Sequence, residues 1–225
     1  IKKAYLKFQK FYANHFLRPQ LEALGRGFTF MRPWHVELFG APITIGNFAT
    51  VIATPDKKIR LSVWPDKAGE GHITIGNYCL VCPGVRISSA AGITVGDNCM
   101  IANGAYLTDS DWHGIYDRVS MGRAQPVSLA QNVWVGDSAI ICKGVAIGAN
   151  SIVGAGSVVV GDIPANAIAA GNPGAAVIGV GPDLDSSMLL EAMRAGIMEY
   201  LPRPLHTASI HDALQRVMRK QGWIG

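Results

Sequence analysis

Charge, aromatic side chains and cysteine are all scarce in this sequence, and each shortage excludes a class of protein. Charged residues make up 16% of the 225 residues and aromatic residues 8%, whereas hydrophobic residues make up 49%. Disordered chains combine low hydrophobicity with high net charge, so the composition excludes a disordered chain. Four cysteines are too few for a disulfide framework in a chain of this length, which favours a reducing compartment such as the cytoplasm.

Long apolar runs are missing as well. No run approaches the roughly 18 apolar residues that a membrane-spanning helix requires. The first residues alternate aromatic side chains with lysine, unlike a cleavable signal peptide. We therefore expect a soluble, cytoplasmic protein of one domain with short appendages.

The positive charge is concentrated at the start of the chain. The net charge is +4, and residues 1–36 contain seven basic residues but one acidic residue, Glu22. The remainder therefore carries a net charge of −2 and has no stripe of lysine or arginine. Because nucleic-acid binding needs such a stripe or a recognition motif, nucleic acid is not predicted as a partner.

What the sequence does contain is a repeat. A five-residue phrase, apolar–Thr/Ser–apolar–small–polar or a close variant, recurs along the chain, and aliphatic residues return every six positions. A period of six excludes an amphipathic helix, whose period is 3.6, and a half-buried strand, whose period is two. It predicts triangular coils of three short strands, stacked by parallel-sheet hydrogen bonds. The phrases begin at Ile43, Ile73, Ile93, Val127 and Val145; the six-residue positions are Ile75, Val81, Ile87, Ile93, Val95, Ile101, Leu107, Val135, Ile141, Ile147, Val153 and Val159.

The residue four places after each repeat position should also face the interior, near a corner. It is small or β-branched every time, which is typical of a cramped, close-packed position. These residues are Ala49, Cys79, Val85, Ala91, Cys99, Ala105, Ala139, Val145, Ser151 and Ser157.

Two segments interrupt the repeat. Successive phrases are separated by 30, 20, 34 and 18 residues, and the two long intervals predict excursions near 54–72 and 109–126. Loops that leave a rigid stack are where binding and catalytic residues concentrate. The predicted organisation is a basic, aromatic helical segment over 1–40, a β-helix over 41–180 and a helical extension over 181–225.

Both flanks are predicted to contain helices. Residues 2–17 alternate lysine with aromatic residues and would cover the edge of the first coil; a weak contact with an anionic membrane surface is the alternative. Helical spacing over 186–201 and 209–220 predicts two further helices, which would cover the far end of the stack or a neighbouring subunit.

Four short stretches resemble the hexapeptide-repeat acyltransferases, and among these the maltose/galactoside O-acetyltransferase branch. They are Asn-Val-Trp-Val-Gly at 132–136, Val-Gly-Ala-Gly-Ser-Val-Val at 153–159, Asp-Ile-Pro at 162–164 and Ala-Gly-Asn-Pro at 170–173. The resemblance implies an all-β solenoid: a left-handed parallel β-helix of hexapeptide repeats with short helical segments at both termini. It also implies a homotrimer with acetyl-CoA as co-substrate, no metal, and a hydroxyl-bearing small molecule or saccharide as acceptor.

His113, in the second excursion, is the candidate general base. Acyl transfer from a thioester to a hydroxyl requires a group that removes the hydroxyl proton, which a neutral imidazole does near pH 7; the resemblance places the family's catalytic histidine here. Asp109 or Asp111 would orient the ring, unless both only cap a turn. Neighbouring loop residues would shape the acceptor pocket or simply be solvated: Trp112, Tyr116 and Arg118.

The resemblance further implies a donor groove between neighbouring subunits, contacted mostly by backbone amides of the last coils. Corner geometry is the alternative explanation for the glycines in this set, and an amide near Gly136 or Ser138 would hold the oxyanion. Gly161 and Ala175 stand where the family often has Lys and Arg, so two cations for CoA phosphates are missing. The candidate donor-binding residues are Trp134, Gly136, Asp137, Ser138, Gly154, Ala155, Val160, Gly161, Asn172 and Pro173.

Other functions find less support. Cys79 and Cys82 form a C-x-x-C pattern, but the repeat turns their side chains apart, so neither a zinc nor a redox site is predicted. A γ-type carbonic anhydrase needs three zinc-binding histidines, whereas His113 is the one histidine between residues 73 and 205. A non-catalytic β-helix scaffold stays open as the alternative to a CoA-dependent O-acetyltransferase.

Overall fold

The structure is a computed structural model that describes residues 2–65, 69–171, 176–182, 189, 197–204 and 206–220. Helix α1 (Lys2–Tyr12) lies at the start of this part and helix α2 (Thr207–Lys220) at its end. Helix α1 runs on into a π-helical turn and a 3-10 turn, and a further 3-10 turn follows in the first coil: Ala13–Leu17, Arg18–Gln20 and Pro33–His35.

Between the two helices the chain forms short strands. They are β1 (Ala23–Leu24), β2 (Thr29–Met31), β3 (Val36–Phe39), β4 (Ile43–Ile45), β5 (Thr50–Ile52), β6 (Ile59–Val63), β7 (Ile73–Ile75), β8 (Leu80–Val81), β9 (Arg86–Ser89), β10 (Ile93–Val95), β11 (Met100–Ile101), β12 (Tyr106–Thr108), β13 (Val127–Leu129), β14 (Trp134–Val135), β15 (Ile140–Ile141), β16 (Ala146–Ile147), β17 (Ile152–Val153), β18 (Val158–Val159), β19 (Ala167–Ala170), β20 (Ala176–Gly181) and β21 (Ile197–Pro202).

These strands build three sheets that the chain enters in turn. Sheet A has the order β1-β4-β7-β10-β13-β16, sheet B the order β2-β5-β8-β11-β14-β17-β19-β20-β21, and sheet C the order β3-β6-β9-β12-β15-β18. Like positions of successive coils align: Ile93 pairs in parallel with Ile73 before it and Val127 after it. Each circuit of the chain is therefore one three-sided coil, and the stack is a parallel β-helix with a helix at each end.

The six-residue repeat fills the interior. All twelve six-residue positions are at most 2% exposed, and burying such an aliphatic side chain contributes about 1.5–3 kcal/mol. The residues four places on are buried too, except Ala91, which is partly exposed. The expectation for Ala91 is wrong because the backbone at 90–92 turns its amides towards a buried carboxylate instead.

The corner between sheets A and B is built from asparagines in the left-handed conformation. Asn98, Asn132, Asn150 and Asn166 have φ values of 58° to 60°, which asparagine tolerates better than most residues. The side-chain amide of Asn132 donates to that of Asn150, and Asn150 donates to Asn166, both at 3.0 Å. Side chains thus reinforce the backbone hydrogen bonds between coils at this corner.

The β-helix begins earlier than residue 41. Strands β1, β2 and β3 pair with β4, β5 and β6, so the predicted boundary is wrong and a complete first coil precedes it. Leu24, Phe30 and Val36 are buried and already six residues apart. The five-residue phrase is absent there, and the spacing alone was too short to be recognised as a repeat.

The first excursion is also narrower than 54–72. Strand β6 lies within that range, pairs with β3 and β9 and buries Ile59, Leu61 and Val63. Two separate insertions flank it, a turn at 54–58 and the segment between β6 and β7. Both insertions fall within the 30-residue interval between the phrases at Ile43 and Ile73, so the interval alone does not distinguish them. The second excursion, 109–126, lies between β12 and β13.

Helix α1 lies across the first coil. Ala13 and Leu17, just beyond it, are buried in the main core, and the side-chain oxygen of buried Gln9 accepts a 2.5 Å hydrogen bond from the Arg32 amide. The rings of Tyr5 and Phe8 contact the Trp34 ring, with centroids about 6 Å apart. One side of the helix therefore covers the edge of the stack.

The C-terminal extension is not entirely helical. The helix predicted over 186–201 is wrong at its end, because Ile197–Pro202 form β21, which pairs in parallel with β20; residues 183–188 and 190–196 lie outside the described part. The helix predicted over 209–220 is α2, which begins at Thr207. Helix α2 packs on the last strands in a small second core: Ile178, Val180, Leu201, Ala213 and Val217.

A buried carboxylate anchors the second excursion to the stack. Asp109 is fully buried and accepts hydrogen bonds from the Ser89 hydroxyl at 2.8 Å and from the amides of Ala90, Ala91 and Gly92 at 2.6–2.9 Å. Hydrogen bonds to a charged acceptor are about twice as strong as neutral ones. The excursion therefore starts from a fixed point.

We expect Asp109→Ala to lower the free energy of unfolding by about 3 kcal/mol or more, because it leaves buried amides without an acceptor. Denaturant unfolding measures this. The matched control is Asp117→Ala, an exposed carboxylate of the same loop that accepts one hydrogen bond from the Val119 amide; it should change stability by less than about 0.5 kcal/mol. Equal stability losses would show that the anchor has no special role.

Candidate active site

The segment 109–126 leaves the stack at the corner between sheets C and A and folds back on itself. Ser110 forms a β-bridge with Ala124, and the Gln125 amide donates to the Asp109 carbonyl at 2.8 Å. Both ends of the loop are therefore held together at the stack, and its tip projects from it.

Trp112 turns the chain sharply near the start of this loop. It has a left-handed φ of 62°, which is unusual for a bulky residue and is a strained conformation typical of functional sites. Its indole N–H donates to the Thr108 hydroxyl at 2.9 Å, and its amide N–H donates to the Ser110 hydroxyl oxygen at 3.1 Å. These bonds hold the turn that presents the next residue, His113.

The His113 ring is oriented by the loop backbone. Its Nδ1 lies 2.8 Å from the Arg118 carbonyl oxygen, and its amide donates to the Asp111 carbonyl at 2.7 Å. A carbonyl only accepts, so Nδ1 carries the proton and Nε2 is the unprotonated nitrogen of the neutral ring. The Arg118 guanidinium in turn donates to the Gly114 carbonyl, which fixes the carbonyl that orients the ring.

Neither Asp109 nor Asp111 orients His113. Asp109 is occupied by the backbone at 90–92, and Asp111 forms an ion pair with Lys143 of the next coil. The prediction that one of them holds the ring is therefore wrong, and the Arg118 carbonyl has that position. Both carboxylates instead tie the loop to the stack, one on each side.

A pocket of about 500 Å³ lies on the outer face of sheet C, under the loop. Of the acceptor-binding candidates, Trp112 lines it, whereas Tyr116 is fully exposed and Arg118 is bonded within the loop. The lining residues are Trp64, Ser88, Tyr106, Trp112, His113 and Met121.

Most of this lining is not predicted from the sequence. Because side chains alternate along a strand and Leu61 and Val63 point into the core, Trp64 must point outwards from the end of β6. The same alternation places Ser88 outwards on β9. The alternation of side chains is visible in the sequence, but the excursion predicted over 54–72 treats Trp64 as a loop residue.

The donor-binding candidates fall in three separate places of one chain. Trp134 lies on the outer face of sheet B, between Met100 and Ile152, and is 48% exposed. The corner between sheets B and C contains Gly136, Asp137, Ser138, Gly154 and Ala155; the corner after β18 contains Val160 and Gly161; Asn172 and Pro173 lie outside the described residues.

Two backbone amides at the corner between sheets B and C already donate hydrogen bonds to other coils. The Gly136 amide donates to the Val153 carbonyl and the Ser138 amide to the Asn103 carbonyl, both at 2.8 Å. Neither of these two amides is therefore available for the oxyanion, and an amide near them stays the prediction. A Cβ at Gly136 would lie 2.6 Å from the Val153 carbonyl oxygen, so coil packing explains this glycine.

Other candidates of the set are accessible. Ala155 is exposed, and its amide has no acceptor among the residues that the structure describes. Val160 is exposed as well, and a Cβ at Gly161 would meet nothing within 4 Å. These positions at the C-terminal end leave room for a ligand against the backbone.

His113 and Trp134 do not meet within one chain. His113 stands beside sheet C, whereas Trp134 points out from sheet B, and the corner between these sheets separates them. The two side chains of one chain therefore lie on different faces of the stack.

The cysteines have the environment of core residues. The thiols of buried Cys79 and Cys99 donate to the carbonyls of Gly96 and Ala130, both at 3.1 Å. Burial raises the pKa of the Cys82 and Cys142 thiols, which lowers their thiolate fraction and their nucleophilicity. Within the described ranges, no three His, Cys, Asp or Glu side chains come close enough to hold a metal ion.

None of the helices in the described part is long and apolar enough to cross a membrane. The longest, α2, has 14 residues, well short of the roughly 20 that a span requires.

Two family models match the coils. "Bacterial transferase hexapeptide (six repeats)" matches residues 126–161, and "Hexapeptide repeat of succinyl-transferase" matches residues 72–109. The two matches cover coils on both sides of the loop that carries His113.

Named relatives match over different lengths. Galactoside O-acetyltransferase of Escherichia coli is 39% identical over 84 residues, 36% of this chain and 41% of that protein. An acetyltransferase of Escherichia coli named for colanic acid biosynthesis, WcaF, is 30% identical over 145 residues, 63% of this chain and 71% of that protein. The chain thus spans less than half of the first relative and more than two thirds of the second.

A solved structure shares the fold. A variant of AntD, an N-acyltransferase from Bacillus cereus crystallised with dTDP-4-amino-4,6-dideoxyglucose and coenzyme A, superposes with a TM-score of 0.58 at 19% identity, over 81% of this chain and 94% of that chain. With both family models matching its coils and WcaF 30% identical over 63% of this chain and 71% of its own length, this chain belongs to the hexapeptide-repeat acetyltransferase family.

Proposed function

We propose that the protein is a CoA-dependent O-acetyltransferase that moves an acetyl group from acetyl-CoA to a hydroxyl of a saccharide or glycan precursor. The observation that carries the proposal is the His113 ring, held at Nδ1 by a backbone carbonyl beside a pocket of about 500 Å³. Two relatives support this reaction class and acceptor class by their names, one named a galactoside O-acetyltransferase and the other named as an acetyltransferase for colanic acid biosynthesis.

In the proposed mechanism His113 is the general base. Nε2 takes the proton of the acceptor hydroxyl while the hydroxyl oxygen attacks the carbonyl carbon of the thioester and forms the new C–O bond. The tetrahedral intermediate then breaks its C–S bond, and the imidazolium returns the proton to the departing thiolate. The ester and free CoA leave, the base is regenerated, and no acyl-enzyme forms.

The Arg118 carbonyl takes the orienting role in this mechanism. It keeps the proton on Nδ1 and continues to accept that hydrogen bond when the ring becomes an imidazolium. It is a neutral acceptor, so it stabilises the imidazolium less than a carboxylate would. The Asp111–Lys143 pair supports the loop without contacting the reacting atoms.

We propose that the chain works as a homotrimer of left-handed coils, in which sheet B of one copy faces the His113 loop of the next. A thioester beside both His113 and Trp134 needs this second wall. The outer face of sheet B is a continuous apolar stripe, and such stripes mark interfaces. Its members are Leu80, Met100, Trp134 and Ile152; Ile168, the next residue along the sheet, packs against the second core of the same chain.

The donor would lie along this junction. Exposed backbone at Ala155, Val160 and Gly161 is the proposed contact for acetyl-CoA, together with Trp134. The four cysteines are free thiols, which supports a reducing compartment, and we propose that the reaction takes place in the cytoplasm, at or near the inner membrane face.

His113→Ala should lower kcat at least about 100-fold, because a general base contributes that much or more. Thiol release from acetyl-CoA with a panel of sugars and glycan precursors measures this. His211→Ala, on exposed α2, is the matched control and should retain activity. Wild-type rates in His113→Ala would show that His113 is not the general base. Failure of calorimetry to detect acetyl-CoA binding would favour the scaffold alternative.

The oligomeric state gives an independent prediction. Sedimentation should show a mass near three times the 24.0 kDa chain, and Met100→Lys on the apolar stripe should shift it towards monomer, since a charge would be buried in the junction. Ser128→Lys on the outer face of sheet A is the control. A wild-type mass of one chain contradicts the trimer.

For α1 we propose a weak contact with an anionic membrane surface. Leu6, Phe8 and Phe11 are about half exposed, beside the exposed lysines Lys7 and Lys10. Apolar side chains next to cations favour binding at the interface of acidic lipids.

The protein should therefore cosediment with vesicles containing phosphatidylserine, less at high salt, and not with pure phosphatidylcholine vesicles. Phe11→Ser should weaken the interaction because it removes apolar area from the membrane-facing side. Equal recovery with both vesicle types, or with neither, would refute the contact.

A further inference from the structure

A cluster of cations lies on the outer face of sheet C, the face that also carries the His113 pocket. The cations belong to the turn at 54–58 and to strands β6 and β9. Lys57 and Lys58 lie at the end of the turn at 54–58, and Arg60 and Arg86 stand opposite each other on β6 and β9. They surround a depression of about 430 Å³. Its lining residues are Pro55, Asp56, Lys57, Lys58, Arg60, Gly84, Arg86 and Gly104.

The cluster is only half neutralised. Glu37 accepts from Lys58 Nζ and from Arg60 Nε, both at 2.7 Å, and hydrogen bonding by Lys58, then by Arg60, holds the pKa of Glu37 below its ordinary value. Asp56 is the one carboxylate among the lining residues, and Glu37 pairs with two of the cations from outside the lining, so four cations and two carboxylates leave two net positive charges. Within the described part of the chain, the side chains of Lys57 and Arg86 make no ion pair.

Arg86 is held in a geometry suited to an anion. Its guanidinium carbon lies 4.2 Å from the centroid of the Tyr106 ring on the neighbouring strand. Stacking on an aromatic face fixes the guanidinium plane and leaves its N–H edges for hydrogen bonds. A fixed guanidinium edge matches two oxygens of a phosphoryl group.

The cation cluster is continuous with the His113 pocket. A middle depression of about 300 Å³ shares Arg60 and Arg86 with the cation cluster, and shares Trp64 and Ser88 with the pocket of His113. Tyr106 lines that pocket, and its ring also contacts the Arg86 guanidinium. Since a strand rises about 3.3 Å per residue, the Cα atoms of Arg86 and Ser88 are only about 6.6 Å apart.

The cation cluster, the middle depression and the His113 pocket together form one groove. Between the two ends of this groove lies an aromatic wall. Trp64 stacks on Phe39, with ring centroids 4.0 Å apart and planes at 21°, and it lines both the middle depression and the pocket. Rigid aromatic walls with a few polar groups are typical of small-molecule sites. The Ser62 and Ser88 hydroxyls, 3.2 Å apart, supply polar groups on the floor.

We propose that the acceptor carries a phosphoryl group, which binds beside Arg86 and Lys57 while the hydroxyl to be acetylated lies at His113. This inference rests on the proposed function and adds a substrate class to it: a phosphorylated or diphosphate-linked sugar rather than a neutral one. The phosphoryl group makes charge-assisted hydrogen bonds to the unpaired cations, and the ring of the sugar occupies the short span along Trp64 and Ser88.

Binding of inorganic pyrophosphate tests the anion site without any catalysis. Calorimetry should show binding to the wild type and about tenfold weaker binding to Arg86→Gln, because a charge-assisted bidentate contact is lost. Arg86→Lys should recover part of the affinity, and the control Arg219→Gln, an exposed cation on α2, should bind as the wild type does. Absence of wild-type binding, or equal binding by Arg86→Gln, would overturn the proposal.

Kinetics then tests whether the anion belongs to the acceptor. With acetyl-CoA and matched pairs of acceptors, a sugar 1-phosphate or nucleoside diphosphate sugar against the same free sugar, the wild type should prefer the phosphorylated member. Arg86→Gln should lower that preference in kcat/KM about tenfold, with the KM for acetyl-CoA unchanged. A rise in the KM for acetyl-CoA instead would show that the cations serve the donor, and would overturn the assignment to the acceptor.

The two sources of phosphate and the two proposals can be told apart. Preference for the sugar 1-phosphate over the diphosphate sugar identifies a monophosphate acceptor, and the reverse identifies a diphosphate-linked one; both support the inference. Acetyl transfer to neutral sugars that depends on His113 but not on Arg86 would leave the proposed function standing and the acceptor class refuted. Loss of pyrophosphate binding in Arg86→Gln without acetyl transfer to any acceptor would refute the proposed function and leave the anion site.

Discussion

Parallel hydrogen bonding between stacked coils is the constraint on which the rest of this structure depends. Strands of two to five residues are too short to be stable alone, so each is held by the coils above and below it. The close approach leaves no room for side chains where backbones touch: a Cβ at Gly46 would lie 2.6 Å from the carbonyl carbon of Gly76. Inside, one aliphatic residue per six-residue unit fills the triangular section. A rigid prism results, and its outer faces are free to vary without disturbing the core.

The candidate site uses that rigidity in a specific way. Buried Asp109 fixes one end of the loop to the backbone at 90–92, and the Asp111–Lys143 pair ties it to the next coil. Between these anchors the loop orients His113 with its own carbonyl. Acidic residues beside a histidine suggest a charge-relay arrangement, yet here they hold the loop, and a neutral backbone atom holds the ring. The chemistry of the loop and its mechanical support are thus divided between different residues.

The outer face of sheet C combines groups that are distant in sequence. Arg60, Arg86 and Tyr106 belong to successive coils and become neighbours only because those coils stack. The same stacking places Trp64 beside the His113 pocket. The cations that the family pattern would put at Gly161 and Ala175 are missing, while this face carries its own cations. Four cations therefore lie next to the pocket of the candidate base, whereas the proposed donor contacts Ala155, Val160 and Gly161 offer exposed backbone.

The amino-acid sequence by itself determined the repeat, the inward residues and the existence of the loop that carries His113, because a six-residue period of aliphatic residues is compatible with few backbones. The sequence pattern was sufficient to predict the coils but not where they begin. The first coil has the six-residue spacing of Leu24, Phe30 and Val36 without the five-residue phrase. Strand β6 was not predicted because an insertion lies on each side of it. Only the tertiary structure decided which atom orients His113, that the Gly136 and Ser138 amides are occupied, and that cations, Trp64 and the imidazole share one groove. Those facts depend on distances between coils and on loop hydrogen bonds, which a linear pattern does not encode.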